Sequence, residues 1–254
     1  VKKLDNLKWE PSWVSHQGCV KGITIKGGAT DGKIYRNHVH GLTRGQRTGL
    51  YIDAWGETAT SNLEVFENVI HDCESGVTLG SEDGGLVQDI RIYNNVVYEN
   101  HSNGLEIGDL GEPLVRTRPI RRTEIVNNTA YGNGSVGWGS GFYNGNPDAT
   151  DIVVRNNIFS QNVIAQSVNE SKAALVVDCN LIDGTQEYDY AISGSDYIVG
   201  DPLFANADEA DFHLLVGSPA IDKATSSGAP SADFEGNPRP SGAGYDMGAF
   251  EYLE

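Results

Sequence analysis

The chain has 254 residues, and its 35 acidic side chains against 18 basic ones give a formal charge of −17. That anionic excess argues against a nucleic-acid partner or an anionic membrane surface, and the absence of any run of 18 apolar residues argues against a membrane span. Three cysteines, Cys19, Cys73 and Cys179, an odd number with no CxxC pair, indicate neither a disulfide framework nor a zinc module.

Residues 1–21 show no clean periodicity and carry Trp9, Pro11 and Trp13. A solenoid needs its open first coil covered, so this stretch is assigned as a cap or remnant coil. It begins VKKLDN, with neither an initiating Met nor a signal peptide, which reads as a processed or trimmed product.

Residues 22–194 repeat one unit: an apolar strand, an Asn, a second short strand, a turn, and a third strand introduced by Gly. GKIYRNHVHG leads to GLYIDAW, LEVFENVIHD to GVTLGSE, and IRIYNNVVYEN to GLEIGD; TEIVNNTAYGN, IVVRNNIFSQN and LVVDCNLIDG continue the frame. The marker asparagines are Asn37, Asn68, Asn95, Asn128, Asn157 and Asn180, at spacings of 31, 27, 33, 29 and 23 residues by subtraction. Periods of 20 to 50 residues indicate a repeat architecture. The units are rich in Val, Ile, Asn and Gly and alternate with period two, so the repeat is built of strands. The expected fold is all-β, a right-handed parallel β-helix forming one domain over 1–254, with the asparagines stacked as a structural ladder.

Aligning the third strands on Gly22, Gly49, Gly76, Gly104 and Gly141 decides which side chains face out. Leu50, Ile52, Val77, Leu79, Leu105, Ile107 and Phe142 point inward. The outward columns read Thr24, Tyr51, Thr78, Glu106, Tyr143; then Lys26, Asp53, Gly80, Gly108, Gly145; then Gly28, Trp55, Glu82. Gly80 and Gly108 clear a floor on which a ligand can approach the backbone. Around it stand the carboxylates Asp53, Glu82 and Glu106 and the rings of Tyr51, Trp55 and Tyr143, the residue types a glycan site uses. Asp53 and Glu82 are expected to be outward and solvated, with Cα atoms roughly 8 Å apart. The alternative is that Asp53 simply pairs with Lys26.

A further outward set, His40, His71, Tyr98, Tyr131, Ser160 and Asp183, lies three residues past each marker. Stacked rings of this kind stabilise a sheet; His71, followed by Asp72, would serve as an acid or base if its turn reached the trough. The insertion 110–122 concentrates Arg116, Arg118, Arg121 and Arg122, and the Gly-rich loop 132–141 presents Trp138; the two are expected to wall one cleft. The acidic stretch Ser81–Gly85 suits a calcium ion by donor type, but no repeated Asp-rich motif accompanies it, so neither a metal nor another cofactor is assigned.

From 195 the repeat gives way to a segment containing DPLF, DFHL, SPAID and DFEGNPRP…YDMGAFEY. These motifs, with the Asn-marked coils (PbH1-type repeats), resemble secreted bacterial right-handed parallel β-helix proteins of the pectate-lyase-like superfamily. The resemblance implies a C-terminal capping segment over 195–254, a secreted or periplasmic location, and a polysaccharide or oligosaccharide partner. Because one coil type hosts several chemistries, the resemblance does not choose the reaction. The paired carboxylates favour a glycoside hydrolase. The alternatives are a polysaccharide lyase using Lys26, His71 or a loop arginine as base, and a glycan-binding surface protein without catalysis.

Overall fold

The computed structural model describes residues 21–43, 48–109 and 117–253; Trp9, Trp13, Cys19 and Arg116 lie outside them. Three long all-parallel sheets wind as a parallel β-helix. The first face stacks Thr30–Tyr35, Ala59–Phe66, Leu86–Tyr93, Ile120–Val126, Ala149–Arg155 and Leu175–Asp178. The second stacks His38–Leu42, Val69–Cys73, Val96–Tyr98, Thr129–Tyr131, Ile158–Ser160, Leu181–Asp183 and Ile198–Val199. The third stacks Ile23–Ile25, Thr48–Asp53, Ser75–Gly80, Leu105–Ile107, Ser140–Asn144 and Ala165–Asn169.

The third-face register aligns Ile23, Leu50, Val77, Leu105 and Phe142, and beside them Thr24, Tyr51, Thr78, Glu106 and Tyr143. The expected inward residues fill one core with Ile70, Val97, Phe159 and Ile182 from the second face and Val65, Ile92 and Val154 from the first. A leading Gly is needed because the corner brings the faces together. A Cβ at Gly76 would lie 2.3 Å from Val97 Cγ1.

The residue before each marker turns the chain with positive φ: Arg36, Glu67, Asn94, Asn127, Asn156 and Cys179. Such a turn strands backbone N–H groups, and the asparagine ladder satisfies them. Asn128 Oδ1, for example, accepts the backbone N–H of Asn95 at 3.0 Å and its side-chain N–H at 2.9 Å, and the same pair of bonds recurs from Asn37 to Asn180. A second ladder, not anticipated, runs through Asn100, Asn133 and Asn162 at the next corner and is closed by Gln166, whose Oε1 accepts from Asn162.

After its last parallel strand, Ile198–Val199, the chain turns back along the flank. Asn94, Asn127 and Asn156 donate from their side chains to Ala232, Asp246 and Thr225 carbonyls. Arg239 and Glu251 form a fully buried ion pair at 2.6 Å, and the guanidinium also donates to the Asp246 and Gly248 carbonyls. Asp233 accepts the backbone N–H groups of Glu235, Asn237 and Glu251. Asp233, Asp246 and Glu251 of DFEGNPRP…YDMGAFEY thus bind the segment's own backbone, while Glu235 pairs with His213.

Candidate functional site

The outward side of the third face divides into two halves. In the lower half the carboxylates are tied to lysines. Lys26 Nζ lies 2.7 Å from Glu82 Oε2 and 3.0 Å from Asp53 Oδ2, Lys21 Nζ lies 3.2 Å from Glu82 Oε1, and the Tyr51 hydroxyl donates to Glu82 Oε1 at 2.8 Å. Asp53 Oδ1 accepts the Glu82 backbone N–H at 3.0 Å. The Lys21 ammonium sits 3.2 Å above the Tyr51 ring, and Lys26 lies 5.3 Å from the ring of Trp55, which is exposed.

Two expectations are corrected here. Asp53 does point away from the apolar core, as the register required, but it is fully buried rather than solvated. Gly80 does not leave an open floor: a Cβ there would lie 2.3 Å from the Tyr51 hydroxyl, because the tyrosine ring lies across the glycine. Alternation determines the face a side chain takes, whereas its rotamer determines what it covers.

The network also decides protonation. Burial alone would raise the Glu82 pKa, but hydrogen bonds from Lys26, Tyr51 and Lys21 outweigh it and hold the carboxyl at about 2. A group this acidic does not donate a proton near neutral pH, and its oxygens are already occupied by three donors. Burial lowers the Lys21 pKa, only partly offset by Glu82.

The upper half is built around Glu106, which lies in register between Thr78 and Tyr143. Among the described residues no cation pairs with it; Thr78 Oγ1 donates to it at 3.3 Å. The residue is partly exposed, yet protein atoms crowd its carboxyl closely, and this burial pushes its pKa up despite bonds from Ser75, Thr78 and Asn103. Gly108, two residues on, is buried and donates its N–H to Leu79 O at 2.9 Å. Beside it Asp109 pairs with Arg118 at 2.5 Å.

Aromatic side chains flank Glu106 towards the later coils. The Tyr143 hydroxyl donates to Glu170 Oε2 at 2.8 Å, repeating the Tyr51–Glu82 arrangement. Trp138, exposed on its loop, meets Tyr188 edge-on at 5.6 Å, and Tyr188 meets Tyr190 at 5.7 Å. The backbone of 190–192 closes the edge of the last third-face strand: Asn169 N–H donates to Tyr190 O, and Ile192 N–H to Ser167 O.

Of the other expected participants, His71 lies on the second face, stacked between His40 at 5.1 Å and Tyr98 at 4.6 Å, so its turn does not bring it to the trough. Arg121 and Arg122 lie on the first face, where Arg122 pairs with Asp89 at 2.6 Å; only Arg118 of the described arginines in the insertion borders the third-face site. Ser81–Gly85 is a tight turn, with Gly84 N–H donating to Ser81 O at 3.1 Å. Among the described residues no group of three or more His, Cys, Asp or Glu side chains is placed to enclose a metal ion.

Lys21, Glu170, Tyr188 and Tyr190 were not anticipated. Glu170 was within reach, since carrying the third-strand alignment into AQSVNES places it two residues past Val168, the partner of Tyr143. A scan against protein-family models finds no match to this chain, and a search of curated proteins finds none that is similar.

Proposed function

We propose that the chain is a secreted or periplasmic carbohydrate-active β-helix protein of the pectate-lyase-like superfamily, a glycoside hydrolase acting on a polysaccharide or oligosaccharide along its third face, with Glu106 as proton donor. The observation that carries this reading is the difference between carboxylates on one face: Glu82 is held anionic by lysines, whereas Glu106 has no cation partner among the described residues and an elevated pKa. A general acid must keep its proton near the working pH, which is what burial without a cation provides. Tyr143, Trp138 and Tyr188 supply rings against which a sugar can lie, and their polar tips suit a wet, hydroxyl-rich ligand. Asp53 and Glu82 become the electrostatic support of the neighbouring coils rather than the acid–base pair.

One observation favours a polysaccharide lyase instead. Lys21 has its pKa lowered by burial and stands directly over the Tyr51 ring, the environment that makes an amine a base. A glycan panel assayed together for new reducing ends and for the ultraviolet absorbance of a conjugated unsaturated uronate separates the two. Hydrolysis by Glu106 gives reducing ends without absorbance and is lost in Glu106→Gln. Absorbance growth on a polyuronate, retained in Glu106→Gln and lost in Lys21→Met, would replace this reading by the lyase. No turnover of any glycan would leave the face as a binding surface.

A further inference from the structure

The second face carries a histidine group that the third-face reading does not use. His38 and His40 alternate on one strand and so project from the same side, and His71 lies directly opposite His40 on the next coil. His40 is stacked flat on His71, which accounts for those two rings as a sheet-stabilising pile. It does not account for His38, whose Nε2 lies 2.7 Å from His71 Nε2. Two imidazole nitrogens at that distance share one proton.

The donor and acceptor follow from Asp72. Its Oδ2 lies 2.8 Å from His71 Nδ1, so the carboxylate holds the His71 proton on Nδ1 and leaves the Nε2 lone pair facing His38. A carboxylate behind a histidine is the arrangement that orients imidazole ligands and raises their basicity at metal centres. His38 is exposed at the surface, so a cation reaches the paired nitrogens from solvent.

We propose that His38 and His71 form an open two-imidazole site for a borderline divalent transition metal of the zinc, copper or nickel class. On binding, the neutral His38 ring changes tautomer, its Nε2 proton leaving to water as water returns one to Nδ1, so that no net proton is released and the Nε2 lone pairs of both rings turn to the cation, which takes the place of the shared proton. Imidazole donors select these metals over calcium or magnesium, which prefer oxygen. His40 stacks flat on His71, and among the described residues no nitrogen contact joins it to the pair, so water completes the coordination. The site is therefore a surface site with open positions, in keeping with the absence of an enclosing three-residue group among the described residues.

The test is calorimetric titration of the untagged chain with zinc chloride at pH 7.5, repeated with copper and followed by electron paramagnetic resonance. The expected result is one zinc equivalent and a copper spectrum split by two nitrogens. His71→Phe preserves the ring stack while removing the ligand, and should weaken zinc at least tenfold without lowering Tm; His38→Ala should do the same. Asp72→Asn should weaken it about ten- to a hundredfold through the lost orienting carboxylate, and His213→Ala should change nothing. Failure of the wild-type chain to bind zinc, or zinc affinity left intact by His38→Ala or His71→Phe, would overturn the proposal.

Discussion

The two halves of the third face share a strand register and a tyrosine-to-glutamate hydrogen bond, and differ in what stands beside the carboxylates. In the lower half Lys21 and Lys26 reach Glu82, and Lys26 also reaches Asp53; in the upper half Glu106 has Ser75, Thr78, Asn103 and the like charge of Glu74 around it, and no cation partner among the described residues. One face therefore carries a carboxyl group held ionised, on the turn past the end of its strand, and another biased towards its acid, in the middle of its strand. What separates the two carboxyl groups is the placement of two lysines.

The largest effect that would break this comparison lies in the upper half. Glu106→Gln should lower turnover on a cleaved glycan by roughly a hundred- to ten-thousandfold, the range expected for loss of a general acid, while Tm holds or rises because a neutral amide replaces a crowded acid. Unchanged turnover would remove Glu106 from the mechanism.

The lower half should respond in stability. Asp53→Ala strips the acceptor from the Glu82 N–H and a partner from Lys26, and should cost about 2 kcal/mol by denaturant titration, less than a wholly buried pair because Lys26 remains partly exposed and still pairs with Glu82. A loss near zero would show that Asp53 is not a strut. Tyr143→Phe sharpens the comparison further. It removes the bond to Glu170 and should cost about 1 kcal/mol of stability by denaturant titration; separately, if Tyr143 touches the sugar, KM should rise with kcat nearly unchanged.

A further effect is in pH. The Glu82 pKa is depressed from 4.5 to about 2, so the stability its ionised form contributes is complete above its ordinary value and is lost as pH falls through about 2. Glu106 has the opposite sign: its raised pKa favours the protonated fold, a contribution present below its ordinary value and lost as pH rises through the raised one. Acid unfolding of Glu82→Gln, followed by circular dichroism between pH 4.5 and 2, should be flatter than that of the wild-type chain. A parallel pair of curves would deny the lysine clamp.

Much of this architecture was readable because stacking forces equivalent residues into columns. The glycines at 22, 49, 76, 104 and 141 set the third-face register as observed, and the His40, His71, Tyr98, Tyr131 column follows the second face. The second asparagine ladder was also present as a signal, since Asn100, Asn133 and Asn162 each fall five residues after a marker. What alternation could not supply was rotamer and cover: that the Tyr51 ring would lie over Gly80, that Asp53 would be sealed from water, and that Lys21 would reach Glu82. Those depend on side-chain paths between coils, about which spacing along the chain is silent.

The returning segment has a consequence in time. In a solenoid each coil touches only its neighbours, and folding can start anywhere and spread. Here Asn94, Asn127 and Asn156 are tied to Ala232, Asp246 and Thr225, partners 138, 119 and 69 residues away, so these three turns cannot complete their bonding until residues far downstream have been synthesised and folded back. Contacts of such long range slow the approach to the native state. At the same corner of the first two coils the turn residues are Arg36 and Glu67, which pair with each other at 2.6 Å. Those coils are free to close early, and in hydrogen exchange their turn amides should open independently of the clamped middle.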